Sequence, residues 1–159
     1  MGTVTYPHGG VERRLLQHFV CVRPQIDLEK DLAKRFLVSW TPGLLFLDGL
    51  ENVHHRAFGF HPPEMFEHLL DLGRGLVEFN LGRHNGAITA LAEVTEDDQA
   101  SPLQAEALYW LGVARYKSGD KEGLSRAWNR LLDLHPESAW APKVGFIREK
   151  AAVQRARTA

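Results

Sequence analysis

ALYWLGVARYKSGDKEGLSRAWNRLLDLHP, residues 107–136, is the stretch whose reading decides the fold. Leu108, Leu111 and Gly112 recur at helical spacing up to Tyr116. Gly119 then breaks the run, and Asp120 is placed to cap a second helix that turns Leu124, Ala127, Trp128 and Leu131 inward. Pro136 ends it. The same arrangement occurs earlier in the chain. A shift of 37 residues sets Gly75 on Gly112, Phe79 on Tyr116, Gly82 on Gly119 and Gly86 on Gly123. It also sets Ala90 on Ala127, Leu91 on Trp128 and Val94 on Leu131. Each unit predicts a helix-turn-helix. The first glycine lets two helices approach closely, the second makes the turn, and the later apolar residues pack the second helix back on the first.

The second unit, with Leu108, Leu111, Gly112, Tyr116, Gly119, Leu124, Trp128 and Pro136, resembles the tetratricopeptide repeat. It departs from that pattern at Leu124, where a small alanine is usual, and at Tyr116, one place later than the commonest aromatic position. Two units are fewer than the roughly three a free-standing array needs, so they are expected to lean on the first half of the chain. The resemblance implies a peptide-binding groove lined by Asn80, Tyr109, Val113 and Tyr116, carried over from first-helix positions of the family. A pair of helical hairpins that only supports the fold is the competing reading.

Upstream, the pattern changes near Pro62. Val11, Leu15, Leu16 and Phe19 have helical spacing, and Phe19-Val20-Cys21-Val22-Arg23 is a short β-prone run stopped by Pro24. Asp27 is expected to cap a helix with Leu28, Leu32 and Phe36 on its inner face. Trp40-Thr41-Pro42 leads into the strand Leu44–Leu47, Asp48-Gly49 signals a turn, and residues 52–58 return as a second strand. Pro62-Pro63 opens a helix with Met65, Phe66, Leu69, Leu70 and Leu76 along one side. Asn85 and Ser101 are expected N-caps, the latter in a capping box with Gln104. Ser138 is expected to start a final helix bearing Trp140, Val144 and Ile147, followed by the cations Arg148, Lys150, Arg155 and Arg157.

Residues 4–73, in the order helix, strand, helix, X-Pro, hairpin, helix, resemble the later part of a thioredoxin fold. The resemblance implies a cis Thr41–Pro42 bond and a backbone beside it that pairs with extended peptides. It also implies a Cys-x-x-Cys motif before the Phe19 strand, and a central strand leading into that motif. Residues 1–10 supply neither. The gap in the sheet is expected to close by direct pairing or by a strand from another chain.

The chain has one cysteine, Cys21, so it cannot close an internal dithiol–disulfide cycle. On a strand between Val20 and Val22, Cys21 is expected to be a packing residue. Among the eight histidines, His54 and His55 adjoin in a strand and point to opposite faces. His61, Glu64 and His68 meet only if a helix begins near Pro62, so solvent-exposed histidines compete with a metal site. No phosphate loop or Ser-His-Asp set stands at the required spacing. The net charge of -1 offers no general attraction for nucleic acid, and no run reaches the roughly 18 apolar residues of a membrane span.

The expected fold is α+β or α/β: a partial thioredoxin-like sheet with helices in residues 1–73, followed by an all-α tetratricopeptide-like extension in residues 74–159. The expected function is a non-catalytic protein-interaction or chaperone-like module. Peptide-binding residues are Trp40, Thr41, Pro42, Asn80, Tyr109, Val113 and Tyr116, and neither catalytic residue, metal nor cofactor is assigned. Partners are protein or peptide clients, with a homodimer by strand exchange as a further arrangement, and neither nucleic acid nor membrane. A cytoplasmic location is expected from the single cysteine and the absence of an export signal. The alternative is a thiol–disulfide oxidoreductase whose Cys-x-x-Cys segment is missing from this chain.

Overall fold

In the computed structural model, residues 1–96 and 101–148 are described. Their elements are α1 (Gly9–His18), α2 (Lys30–Arg35), β1 (Gly43–Leu47), β2 (Val53–Phe58), α3 (Pro63–Asn80), α4 (His84–Glu96), α5 (Gln104–Lys117), α6 (Lys121–Leu134) and α7 (Ala141–Val144). The expected cations Lys150, Arg155 and Arg157 lie outside the described residues.

α3 organises the molecule. Pro63 sits where the first free N–H groups of a helix need no partner, and the 18-residue helix it opens buries two faces. One face carries Phe66, Leu69 and Leu70 into a core with Val11 of α1 and Phe46 of β1. The other carries Leu72 and Leu76 into a helical core with Leu91 and Val94 of α4, Leu111 and Ala114 of α5, and Ala127 of α6. Leu103 packs against both cores. The expected division at residues 73 and 74 therefore falls within one continuous helix.

The two repeat units form α3–α4 and α5–α6, with the glycines in the expected roles. Gly82 and Gly119, 37 residues apart, both turn the chain with positive φ, 75° and 96°. A Cβ at Gly75 would lie 2.7 Å from Leu91 Cγ, and one at Gly112 would lie 2.4 Å from Trp128 Nε1. Those two contacts obey the same 37-residue shift. Asp120 caps α6 by accepting from Gly123 N at 2.7 Å.

The sheet of the described residues is the antiparallel pair β1–β2, in the register Gly43↔Phe58 to Leu47↔Val53, with an irregularity between Phe46 and Leu47. Asp48 builds the turn, its Oδ1 accepting from Leu50 N and Asn52 N and its Oδ2 from Asn52 Nδ2. The positive φ falls on Glu51 at 64°, not on Gly49.

Several expectations are corrected. Residues 19–23 form no strand, and Val20 and Val22 are 96% and 81% exposed. A strand needs a neighbour to satisfy its backbone N–H and C=O groups, and the described sheet offers none beside this run. Cys21 is consequently exposed, not a packing residue. In α2, the expected cap Asp27 and the expected inner residue Leu28 both precede the helix, and Leu28 is exposed. α4 starts at His84, so Asn85 lies in its first turn rather than before it.

The Ser101 capping box does not close. Ser101 Oγ accepts from Leu103 N, while the Gln104 side chain points elsewhere. Its Nε2 donates to Thr95 O at 3.3 Å, and its Oε1 meets His135 Nε2 at 2.7 Å. Tertiary partners outcompete the local one. The last described helix begins at Ala141, whose N–H donates to Ser138 Oγ.

Candidate functional site

α5 separates two kinds of residue. Ala105, Ala107, Leu108, Leu111, Gly112 and Ala114 are buried against its neighbours. Glu106, Tyr109, Trp110 and Val113, spaced 3, 4 and 7 apart, share another face and are half-buried, with Tyr116 53% exposed at its end. Aromatic contacts extend that face sideways in both directions. Trp110 lies 5.2 Å from Phe79 of α3, and Tyr109 lies 4.9 Å from Trp140, which precedes α7. Trp128 of α6 stacks on Tyr109 at 5.9 Å and donates its Nε1–H to Tyr109 O at 3.0 Å. A strip of rings, Phe79–Trp110–Tyr109–Trp140, thus crosses α3, α5 and the start of α7.

Charge is built into this strip. Lys143 Nζ sits 3.8 Å above the Trp140 ring and 5.7 Å from the Tyr109 ring. Burial pushes the Glu106 carboxyl above its ordinary range, opposed by a hydrogen bond from Trp110 and the charge of Lys143.

The sequence-predicted residues fall into three places. Tyr109, Val113 and Tyr116 come together on the α5 face. Asn80 ends α3 and is engaged elsewhere: its Nδ2 approaches His54 Nδ1 at 3.1 Å, while His54 Nε2 meets Asp48 Oδ2 at 3.1 Å. Hydrogen bonds, first that of the Asn52 side chain, hold the Asp48 carboxyl well below the usual carboxylate range. Asn80 therefore ties α3 to the turn end of the hairpin. Trp40, Thr41 and Pro42 lie at the other end, about 17 Å along a five-residue strand. There Trp40 is 69% exposed, the Thr41–Pro42 bond is cis, and Pro42 O accepts from Gly59 N at 2.9 Å.

Glu106, Trp110 and Lys143 were not singled out from the sequence, and Phe79 and Trp140 were read as a repeat position and an apolar helix residue rather than as site residues. The spacing of Glu106, Tyr109, Trp110 and Val113 carried a readable signal. The approach of Trp140 and Lys143 did not, because it depends on where α7 docks.

A concavity of about 350 Å³ lies between the end of α1, the hairpin turn and the second half of α3. Its charged groups are engaged with neighbours: Arg74 donates to His18 Nε2 at 3.0 Å and to Asp71 Oδ1 at 3.2 Å, and Arg83 to Glu78 at 2.8 Å. Burial, followed by the Arg74 charge, pushes the His18 pKa down, in keeping with its role as an acceptor.

Among the described residues there is no group of three or more His, Cys, Asp or Glu able to hold a metal ion. His54 is turned to Asp48 and Asn80, and His55 packs on Phe46 at 5.8 Å. No described helix is long and apolar enough to cross a membrane.

A family model for the tetratricopeptide repeat matches residues 106–138, which span most of α5, all of α6 and Pro136. No curated protein and no solved structure matches the chain. The chain therefore carries a tetratricopeptide-like repeat in its helical region, a type of unit that generally mediates contacts between proteins.

Proposed function

We propose that this chain is a non-catalytic protein-interaction module of chaperone-like kind. Its binding surface is the α5 face with Tyr109, Val113 and Tyr116, and the exposed Trp40-Thr41-Pro42 segment adds a second contact for extended peptide. The observation that carries this reading is the half-buried α5 face of the matched repeat, with Tyr109 and Trp110 in an aromatic strip and the exposed Tyr116 at its end. Aromatic side chains that keep an apolar face available without full burial are the usual anchors of protein contacts. Asn80 contributes by fixing the end of α3 to the hairpin.

Residues 1–73 are read as a remnant of a thioredoxin-like domain that shares α3 with the helical region 74–159. The succession α2, Pro42, β1, β2, α3 supports that reading. Titration with a permanently unfolded, carboxymethylated protein tests the function. The intact chain is expected to bind it, with Tyr109→Ala and Tyr116→Ala each weakening binding about fivefold to thirtyfold, and Trp40→Ala less. Absence of binding by the intact chain would overturn the proposal.

A further inference from the structure

Tyr109 and Trp140 flank a position that already holds a cation. Lys143 Nζ lies on the Trp140 ring at 3.8 Å and within 5.7 Å of the Tyr109 ring, and the two rings stand 4.9 Å apart with their planes 41° from parallel. Both distances are within the reach of a cation–π contact. The carboxylate of Glu106 lies one turn before Trp110 on the same face and feels the Lys143 charge. Two ring faces, with a carboxyl group on the same helix face within electrostatic reach, are complementary to one kind of side chain, an ammonium on a flexible apolar stem. Lys143 is exposed and stands on α7, a helix of only four residues. Displacing its side chain breaks no buried packing, because the core contacts of α7 are made by Ala141 and Val144.

We infer that Glu106, Tyr109 and Trp140 form a receptor for a cationic side chain of a bound peptide, and that Lys143 occupies it as an internal competitor in the free chain. The inference rests on the reading of the α5 face as the binding face, and names the chemistry of the partner: a segment presenting lysine next to apolar residues, the latter facing Trp110 and Val113. Self-occupancy lowers the apparent affinity for such a partner, because each binding event must first expel Lys143.

The test uses the full chain and tetramethylammonium chloride as the probe, with sodium chloride at matched ionic strength, read by the indole N–H resonances of the tryptophans. In Lys143→Ala, the Trp140 and Trp110 signals are expected to shift saturably. The apparent affinity should be about 2-fold to 30-fold tighter than for the unaltered chain, the span of one cation–π contact. Adding Glu106→Gln should weaken it again. Arg148→Ala, whose native side chain contacts Asn129 and Asp133, should behave as the unaltered chain. Equal responses in the presence and absence of Lys143, or no saturable shift in Lys143→Ala, would overturn the inference. Because this probe involves no client protein, unfolded-protein binding without tetramethylammonium binding removes only the inference. The reverse outcome removes only the client-binding reading.

Discussion

Replacing Gly112 by alanine perturbs the closest helix–helix approach in the matched repeat. The added Cβ would lie 2.4 Å from Trp128 Nε1 and 2.5 Å from its Cδ1, so the indole must retreat by about 1 Å to reach ordinary contact. The ring is not free to do so at low cost. It donates to Tyr109 O at 3.0 Å, stacks on the Tyr109 ring and meets Phe146 edge-on. Overpacking costs about 1–3 kcal/mol and the strained hydrogen bond about 1 kcal/mol, while the gain in helix propensity returns about 1 kcal/mol. The expected net loss is about 2 kcal/mol, or about 4–8 °C in Tm for a chain of this size.

The first unit makes the equivalent close approach. At Gly75 the added Cβ meets Leu91 Cγ at 2.7 Å and Cδ2 at 2.8 Å, and Leu91 is fully buried, so Gly75→Ala should also overpack, at about 1–3 kcal/mol. Urea unfolding of both variants, and of Gly112→Ala in a Trp128→Leu background, measures the coupling directly. The cost at Gly112 should largely vanish when the indole is gone. A Gly112→Ala protein as stable as the parent, or an unchanged cost in the Trp128→Leu background, would refute the account of α5–α6 packing.

Asp71, 3% exposed, joins Arg14 of α1 at 2.7 Å and Arg74 at 3.2 Å. Asp71→Ala should remove the carboxylate these two guanidinium groups share, leaving Arg14 on Glu67 and Arg74 on His18, and cost about 1–3 kcal/mol. Urea unfolding would show this, and faster tryptic cleavage at Arg13 and Arg14 would show α1 released. A loss under about 0.5 kcal/mol would contradict the clamp. Burial lowers the pKa of His55, His61 and His135, as it does for His18. The unfolded chain therefore takes up protons first as pH falls below the ordinary histidine value of 6.5, and stability is lost as pH falls through the lowered values. The urea midpoint should be lower at pH 5.5 than at 7.5, with a smaller difference in His55→Asn, and equal midpoints would exclude this. Glu106, raised by burial, acts in the opposite sense, its stabilising contribution fading as pH rises through its folded value. Finally, the exposed Cys21 should react fully with iodoacetamide in the native protein, whereas a thiol that reacts only after denaturation would mean that residues 19–23 are covered.

The sequence by itself determined the helical half. Its 37-residue shift, the turn glycines Gly82 and Gly119, the cap Asp120 and the close approaches at Gly75 and Gly112 all appear as read. Helix-turn-helix units rest on contacts between residues near in sequence, so spacing carries them. Tertiary structure decided the rest. Whether Phe19–Arg23 becomes a strand depends on a neighbour, which a β-prone pattern cannot supply, and without one Cys21 lies in solvent. Gln104 left its local cap because Thr95 and His135 came within reach. Trp140 and Lys143 joined Tyr109 only through the docking of α7. Each of these outcomes depends on which distant groups arrive, information that a residue's own neighbours in the chain do not contain.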